Sequence, residues 1–340
     1  MTSPLFHVGL GSLDQAVAGD RFTLDGAEGH HAATVMRLGA GEQVLLSDTV
    51  SRRAHAVVIG KVAGVVPGHE ETAGAAPRAT DGRGPDRGVT RDGARGAASG
   101  RGGSKAPAAL ELQLVDVVED APELPRLVLL QALAKDKRDL QAVESATELG
   151  VDAVIPWQAE RSVVKWKPST LQRKHDEWTS LVTAASKQSR RTSVPEVRPL
   201  QSTAQYAASL RSRDDVAVLL LDESAALPLS AAVAELGLRE ARLSGAAHAA
   251  GSDKTGSDQT GSDKESPALT GIAEVHLVVG PEGGISAAER AALDGARSVG
   301  ARLGPTVLRA SSAGAAALAA VNVLLGRWDR PFRDENQRVE

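Results

Sequence analysis

The 340-residue chain carries a formal charge of −4, no cysteine, and only four Trp, three Phe and one Tyr. The length suits about two domains, the missing cysteines exclude disulfides, thiolate metal sites and a cysteine nucleophile, and the negative balance means that any nucleic-acid contact must come from a local basic patch. So few rings also argue against a platform that stacks successive bases. The first seven residues lack a basic start and a long apolar run, and no stretch approaches the roughly 18 apolar residues of a membrane span, so a soluble cytoplasmic protein is expected. Residues 1 to about 67 hold short alternating runs at 43–47 and 54–59 between turn signals, which predicts a small β domain. From about Gly68 to Ala108 the chain is mostly Gly, Ala, Arg and Asp. With almost no large apolar side chain it cannot offset the entropy of ordering, so a disordered insertion is expected. Strand alternation resumes at 111–118 and closes the first domain near residue 125.

Beyond it, residues 126–130 read as a buried strand, 136–149 as a helix stopped by Gly150, 151–156 as the next strand, 169 to about 189 as a helix, and 216–221 as a strand ended by Asp222-Glu223. Strands alternating with helices predict an α/β domain with a largely parallel sheet. A second insertion at about 244–270 repeats Gly-Ser-Asp every five residues from Gly251 and reads as a solvated linker. Residues 275–279 then form a β-prone run leading into Gly280-Pro281-Glu282-Gly283-Gly284. The paired glycines allow positive φ and close approach of main chain to a ligand. Ser286 with Glu289 makes a capping box, so a helix should start at once with its free N–H groups facing the loop. Strand, glycine-rich loop and helix start suit a ligand carrying polar groups.

Taken together, these pieces resemble the RsmE family of SPOUT methyltransferases, which methylate N3 of a uridine in 16S ribosomal RNA. The resemblance is carried by His30-His31, Val35-Met36-Arg37-Leu38 and Gly41-Glu42 near the N-terminus. In the middle it rests on Lys135-Asp136-Lys137-Arg138, Ala146-Thr147-Glu148-Leu149-Gly150-Val151, Glu160-Arg161-Ser162-Val163 and Gln188-Ser189. The glycine cluster at 280–284, Leu303-Gly304-Pro305 and Val307-Leu308-Arg309 complete it and are its most specific part. The resemblance implies a PUA-like RNA-binding β-barrel over about 1–125, and a SPOUT-type trefoil-knotted α/β methyltransferase domain over about 126–335. It also implies a homodimer, S-adenosylmethionine as cofactor and 16S ribosomal RNA or the small ribosomal subunit as partner, with no metal and no membrane.

Carried over residue by residue, the resemblance implies that Leu221, Gly280, Glu282, Gly283, Gly284, Leu303, Gly304 and Leu308 surround the cofactor. Arg309 is the candidate catalytic residue. A fixed guanidinium can stabilise the negative charge that spreads over uracil when N3 loses its proton; the alternative is that Arg309 pairs with a carboxylate or caps a helix. Where the family commonly continues Thr-Glu-Thr-Ala, this chain has Ala310-Ser311-Ser312-Ala313, which leaves the general base unassigned. Between Arg126 and Arg198 there are 13 Lys or Arg against 9 Asp or Glu, a local basic excess. Arg37, Arg161, Lys165, Lys167, Lys187, Arg190 and Arg191 are the candidate RNA contacts. Trp157, Trp166 and Trp178 are expected in the core, Glu148 in an ion pair or packing role, and His30-His31 lack the further ligands of a metal site. The alternatives are another knotted methyltransferase acting on ribose 2′-oxygen or transfer RNA, and a non-catalytic ribosome-assembly factor.

Overall fold

The computed structural model describes residues 3–63, 108–120, 123–238, 271–295 and 297–329. The two low-complexity insertions lie outside the described residues, except that Ala108 already opens a strand. The chain forms two compact units. One comprises Met1–Val17, Val44–His55 and Asp116–Glu340; the other comprises Ala18–Gln43 and Ala56–Val115.

The first elements in chain order are β1 (Leu5–His7), β2 (Arg21–Leu24), α1 (Gly26–His30), β3 (Gln43–Ser47), β4 (Arg52–Ala63) and β5 (Ala108–Glu119). A π-helical turn over His31–Val35 extends α1. The strands form a five-stranded sheet in the order β1-β3-β4-β5-β2. β1 runs parallel to β3, and β2 runs antiparallel to β5. Along β5, Leu110, Leu112 and Leu114 are buried while Gln113 and Val115 face out. This is the period of two expected of a sheet with one covered face.

The remaining elements are β6 (Arg126–Ala132), α2 (Arg138–Glu148), β7 (Ala153–Gln158), α3 (Leu171–Gln188), β8 (Glu196–Val197), β9 (Gln201–Ser202), α4 (Thr203–Leu210), β10 (Val216–Leu221), β11 (Leu227–Pro228), α5 (Leu229–Glu235), β12 (Glu274–Val279), α6 (Ala287–Leu293), β13 (Ser298–Arg302) and α7 (Ala310–Leu324). Their strands build a second sheet in the order β11-β13-β10-β12-β6-β7-β8, with β9 also paired to β7. Every strand pair in it is parallel. Leu127 and Leu129 of β6 enter one core layer with Val143, Trp178 and Leu318, whereas Val128 and Leu130 enter the other with Trp157, Tyr206 and Leu293. Burial on both faces is why 127–130 of β6 and 216–221 of β10 read as continuous apolar runs, whereas β12 also buries Glu274 and His276.

The expected helix at 136–149 begins two residues later, because Asp136 and Lys137 adopt left-handed backbone at φ 57° and 59°. Gly150 ends it as expected, at φ 94°. All three expected core tryptophans are buried. Trp166 and Trp178 meet edge to face with centroids 5.6 Å apart, a geometry that aligns ring edge with ring face.

The buried start of β12 carries charge. The Glu274 carboxylate accepts from Arg198 Nη1 and Nη2 at 3.0 and 2.5 Å, Arg213 Nη1 at 3.0 Å and His276 Nε2 at 2.8 Å. Tyr206 donates its hydroxyl to His276 Nδ1 at 2.7 Å. Burial pushes the Glu274 pKa up, but His276 and Arg198 outweigh it and hold it well below the usual carboxylate range. A carboxyl depressed on folding contributes stability above its unfolded pKa of about 4.3 and loses it as pH falls toward the folded value. Glu274→Gln should therefore lower unfolding free energy by about 3–5 kcal/mol at neutral pH. In urea titrations the gap to wild type should narrow below pH about 4.3; a constant gap down to strongly acid pH would contradict this account.

Candidate active site

Three loops leave the C-terminal ends of adjacent parallel strands, after β10, β12 and β13, where ligand crevices form in open α/β sheets. They enclose a cavity of about 600 Å³, within the range of small-molecule sites. Leu221, Gly280, Glu282, Gly283, Gly284, Leu303, Leu308 and Arg309 all line it. These residues come from three segments up to 88 positions apart in sequence, counting from Leu221 to Arg309. Gly304 is not among the lining residues, but at φ 124° it turns the chain just after Leu303.

The glycines serve different purposes. Only Gly284 of the 280–284 cluster needs left-handed backbone, at φ 71°. A Cβ on Gly280 would lie 2.6 Å from Ile285 Cγ1, and one on Gly283 would lie 3.1 Å from Arg161 Cβ. Space, and not positive φ, is thus the requirement at Gly283. The capping box forms: Ser286 Oγ accepts from the Glu289 amide at 3.1 Å, and Glu289 Oε2 accepts from the Ser286 amide at 3.1 Å. It changes the expected use of the helix start. Glu289 N–H is taken by its own cap, and α6 meets the cavity through the Arg290 side chain while Ser286 and Glu289 stay out of the lining.

Among the described residues, five arginines line the cavity. Arg138 pairs with Glu282 at 3.3 Å, Arg161 Nη1 donates to the Gly283 carbonyl at 3.1 Å, Arg290 Nη1 donates to Asp222 Oδ2 at 2.6 Å, and Arg302 Nη1 donates to the Ala225 carbonyl at 2.8 Å. Burial raises the Asp222 pKa, but bonds from Ser224 and Arg290 bring it below the usual carboxylate range. Arg309 differs from the other four. Its side chain is exposed at the cavity and has no hydrogen-bond or ionic partner among the described residues. Its backbone is the N-cap of α7, whose carbonyl accepts from the Ser312 and Ala313 amides at 3.0 and 2.9 Å. The main chain therefore does cap a helix, while the guanidinium stays available. Arg138, Asp222, Arg290 and Arg302 were not legible as site residues, because no local pattern distinguishes a cavity-lining arginine from a solvated one.

The comparisons agree with this geometry. A family model for an RNA methyltransferase domain matches residues 122–322, and one for an RNA methyltransferase PUA domain matches residues 24–61. Ribosomal RNA small subunit methyltransferase E of Mycobacterium bovis is 34% identical over 336 residues, covering 98% of this chain and 97% of that protein. The chain belongs to the ribosomal RNA small subunit methyltransferase E family. The Bacillus subtilis member is 27% identical over 210 residues, covering 62% of this chain and 70% of that one. Among solved structures, the Neisseria gonorrhoeae methyltransferase E bound to S-adenosyl methionine superposes with a TM-score of 0.59 at 18% identity, covering 95% of this chain and 98% of that one. A putative methyltransferase from Legionella pneumophila with bound cofactor gives 0.57 at 19%, covering 95% and 98%. The expected α/β fold with an N-terminal PUA-like domain is that of the family.

The structure separates the candidate RNA contacts of this family member. Arg161 lines the cavity. Lys165, Lys167, Lys187 and Arg190 are exposed outside its lining, and Arg37 is exposed in the other compact unit, at φ 58°. Arg191 is corrected to a structural role. Its Nη1 donates to the Thr147 and Val151 carbonyls at 2.7 and 2.8 Å, and its Nη2 donates to Ser193 Oγ at 3.3 Å. Burial pulls its pKa down to about 10, so it stays charged at neutral pH while holding the carbonyls around the end of α2. The segment it starts also pairs with the chain between β3 and β4, where the Val194 amide donates to the Thr49 carbonyl at 3.0 Å. A guanidinium so committed is unsuited to a phosphate. Arg191→Ala should cost about 2–4 kcal/mol in denaturant unfolding, because it strands buried carbonyls. The salt dependence of RNA binding should stay at its wild-type slope; a shallower slope in a folded Arg191→Ala protein would restore the phosphate role.

Proposed function

We propose that this chain transfers the methyl group of S-adenosylmethionine to N3 of a uridine in 16S ribosomal RNA of the small subunit. The observation that carries the reading is the Arg309 guanidinium, unpartnered among the described residues, at a cavity walled in part by the main chain of Gly280, Gly283 and Gly284. The lining fits the cofactor. Main-chain groups of 280–284 can read an adenine edge, and the carboxylates of Asp222, Glu223 and Glu282 suit its ammonium and sulfonium charges. Leu221, 280–284 and 303–308 would hold it. When bound, S-adenosylmethionine supplies an electrophilic methyl group on a positive sulfur.

Arg309 performs the remaining electrostatic work. Uracil N3 becomes nucleophilic only after its proton passes to solvent water, and the resulting charge sits largely on the flanking carbonyl oxygens, before N3 takes the methyl group and S-adenosylhomocysteine leaves. The α7 N-cap fixes the Arg309 backbone at the cavity, and the guanidinium, with no partner to give up among the described residues, is free to turn its donors onto that charge. Family membership supports the methyl-transfer reading, and the intact glycine loop argues against a non-catalytic assembly factor. The exposed cations Arg37, Arg161, Lys165, Lys187 and Arg190 are the proposed phosphate contacts. We assign the PUA-like RNA-binding domain to residues 1 to about 125 and the methyltransferase domain, which carries Arg161, Lys165, Lys187 and Arg190, to about 126–335. Exposed Val323 on α7, 58% accessible, and Trp328, 48% accessible, support a homodimer. A ribosomal RNA substrate supports a cytoplasmic location, and among the described residues no helix is long and apolar enough to cross a membrane.

Two variants test the reading. Gly283→Val should abolish S-adenosylmethionine binding in calorimetry while the protein stays folded, since even its Cβ abuts Arg161. Unchanged affinity would remove the loop from the cofactor site. Arg309→Lys keeps the charge but loses the planar fork. Its single-turnover rate at saturating RNA and cofactor should fall by about a hundredfold, the order seen for loss of one oxyanion donor, with dissociation constants within a few-fold. Normal turnover once saturated would make Arg309 a binding residue.

A further inference from the structure

The turn after β7 and the glycine loop after β12 are fastened together at two points. At the first, Arg161 Nη1 donates to the Gly283 carbonyl at 3.1 Å, and the Arg161 stem fills the space that a Gly283 side chain would need, 3.1 Å from its Cβ position. At the second, Ser286 Oγ donates to Glu160 Oε2 at 2.6 Å, and the Glu160 amide donates to Glu289 Oε1 at 2.7 Å. Glu289 is only 3% exposed, so this bond is screened from water and resists exchange. Gly283 and Ser286 sit in and just past the loop, so the turn at 159–162 holds its C-terminal end.

Arg161 itself stands exposed at the cavity. A guanidinium has five N–H donors in a rigid plane, and the Gly283 carbonyl is its only hydrogen-bond partner among the described residues. The outward donors suit an anion, bidentately in the case of a phosphate, while the inward donor holds the cofactor loop.

We propose that Arg161 is a positioning residue that couples RNA phosphate binding to cofactor binding, by gripping the Gly283 carbonyl with one edge of its guanidinium and an RNA phosphate with another. This rests on the methyltransferase reading above. A phosphate that orders the guanidinium also orders Gly283 and the loop around the cofactor, and the linkage is reciprocal: cofactor that orders the loop presents a preformed phosphate site. A residue that contacted RNA alone would weaken RNA binding without touching cofactor affinity.

The test uses the full-length chain, S-adenosylhomocysteine as a non-reacting cofactor probe, and small ribosomal subunits purified from cells lacking this protein. Equilibrium dialysis measures the S-adenosylhomocysteine dissociation constant with and without saturating subunits. Wild type should bind about tenfold more tightly with subunits present, a typical coupling. In Arg161→Ala the ratio should fall to about one. Arg161→Lys keeps the charge and should keep most of the subunit affinity, yet its ratio should also approach one, because three donors on one freely rotating nitrogen lack the rigid plane that holds carbonyl and phosphate in a fixed relation. A wild-type ratio of one, or a wild-type ratio retained in either variant, would overturn the coupling. Wild-type protein that binds no S-adenosylhomocysteine, or no subunits, would instead overturn the methyltransferase reading on which it rests.

Discussion

Glu289 accepts three hydrogen bonds at a position nearly closed to water: from the Glu160 amide at 2.7 Å, the Thr203 hydroxyl at 2.8 Å and the Ser286 amide at 3.1 Å. The three donors come from the turn after β7, the start of α4 and the cap of α6. One carboxylate thereby joins three segments at the C-terminal side of the sheet, beside the core layer that holds Ala159 and Ile285. The glycine loop has little side-chain packing of its own, since Gly280, Gly283 and Gly284 contribute no Cβ. Its shape depends on what grips its ends, and a buried carboxylate with all its bonds made is a rigid grip. Loss of such a group leaves several donors unsatisfied at once.

β12 carries opposite electrostatic arrangements at its two ends. At its start, Glu274 gathers Arg198, Arg213 and His276 into a closed network, with Tyr206 completing the imidazole. Every charge there is answered within the protein, which is the condition for burying it. Past its end, five arginines face the cavity and only some of their donors are used inside the protein. Arg309 is the limiting case, with none of its side-chain donors used among the described residues. Charge answered internally stabilises the fold, whereas charge left with spare donors can answer a ligand.

The departure at Ala310-Ser311-Ser312-Ala313 gains a local explanation here. The segment opens α7, and its Ser312 and Ala313 amides bond to the Arg309 carbonyl. Ala310 and Ser311 are buried at the helix start, and Gly314 follows, where a Cβ would lie 3.0 Å from Leu129 Cδ1. Small residues let α7 approach the sheet closely and fix the Arg309 backbone, so the anchoring of Arg309 does not require a carboxylate next to it.

Sequence reading determined what depends on local or periodic physics. Continuous apolar runs identified β6 and β10, because strands covered on both faces are largely apolar, and the β-prone run at 275–279 identified β12 although it buries His276. The Ser286–Glu289 capping box and the stop at Gly150 were legible for the same reason, each a short-range requirement written in adjacent residues, whereas the segments that line the cavity were indicated by the family resemblance. The 216–221 strand was found with its observed bounds. Short strands such as β8, β9 and β11 were not, since two residues hold no periodicity. Tertiary structure alone decided what each arginine does. Arg191 and Arg190 are neighbours in sequence with the same chemistry, yet one guanidinium holds the Thr147 and Val151 carbonyls and the other is exposed. It also decided that Gly283 needs room for Arg161, and not an unusual φ. Both outcomes depend on which distant main chain lies within about 3 Å of a hydrogen-bonding group, a distance set by how the layers pack.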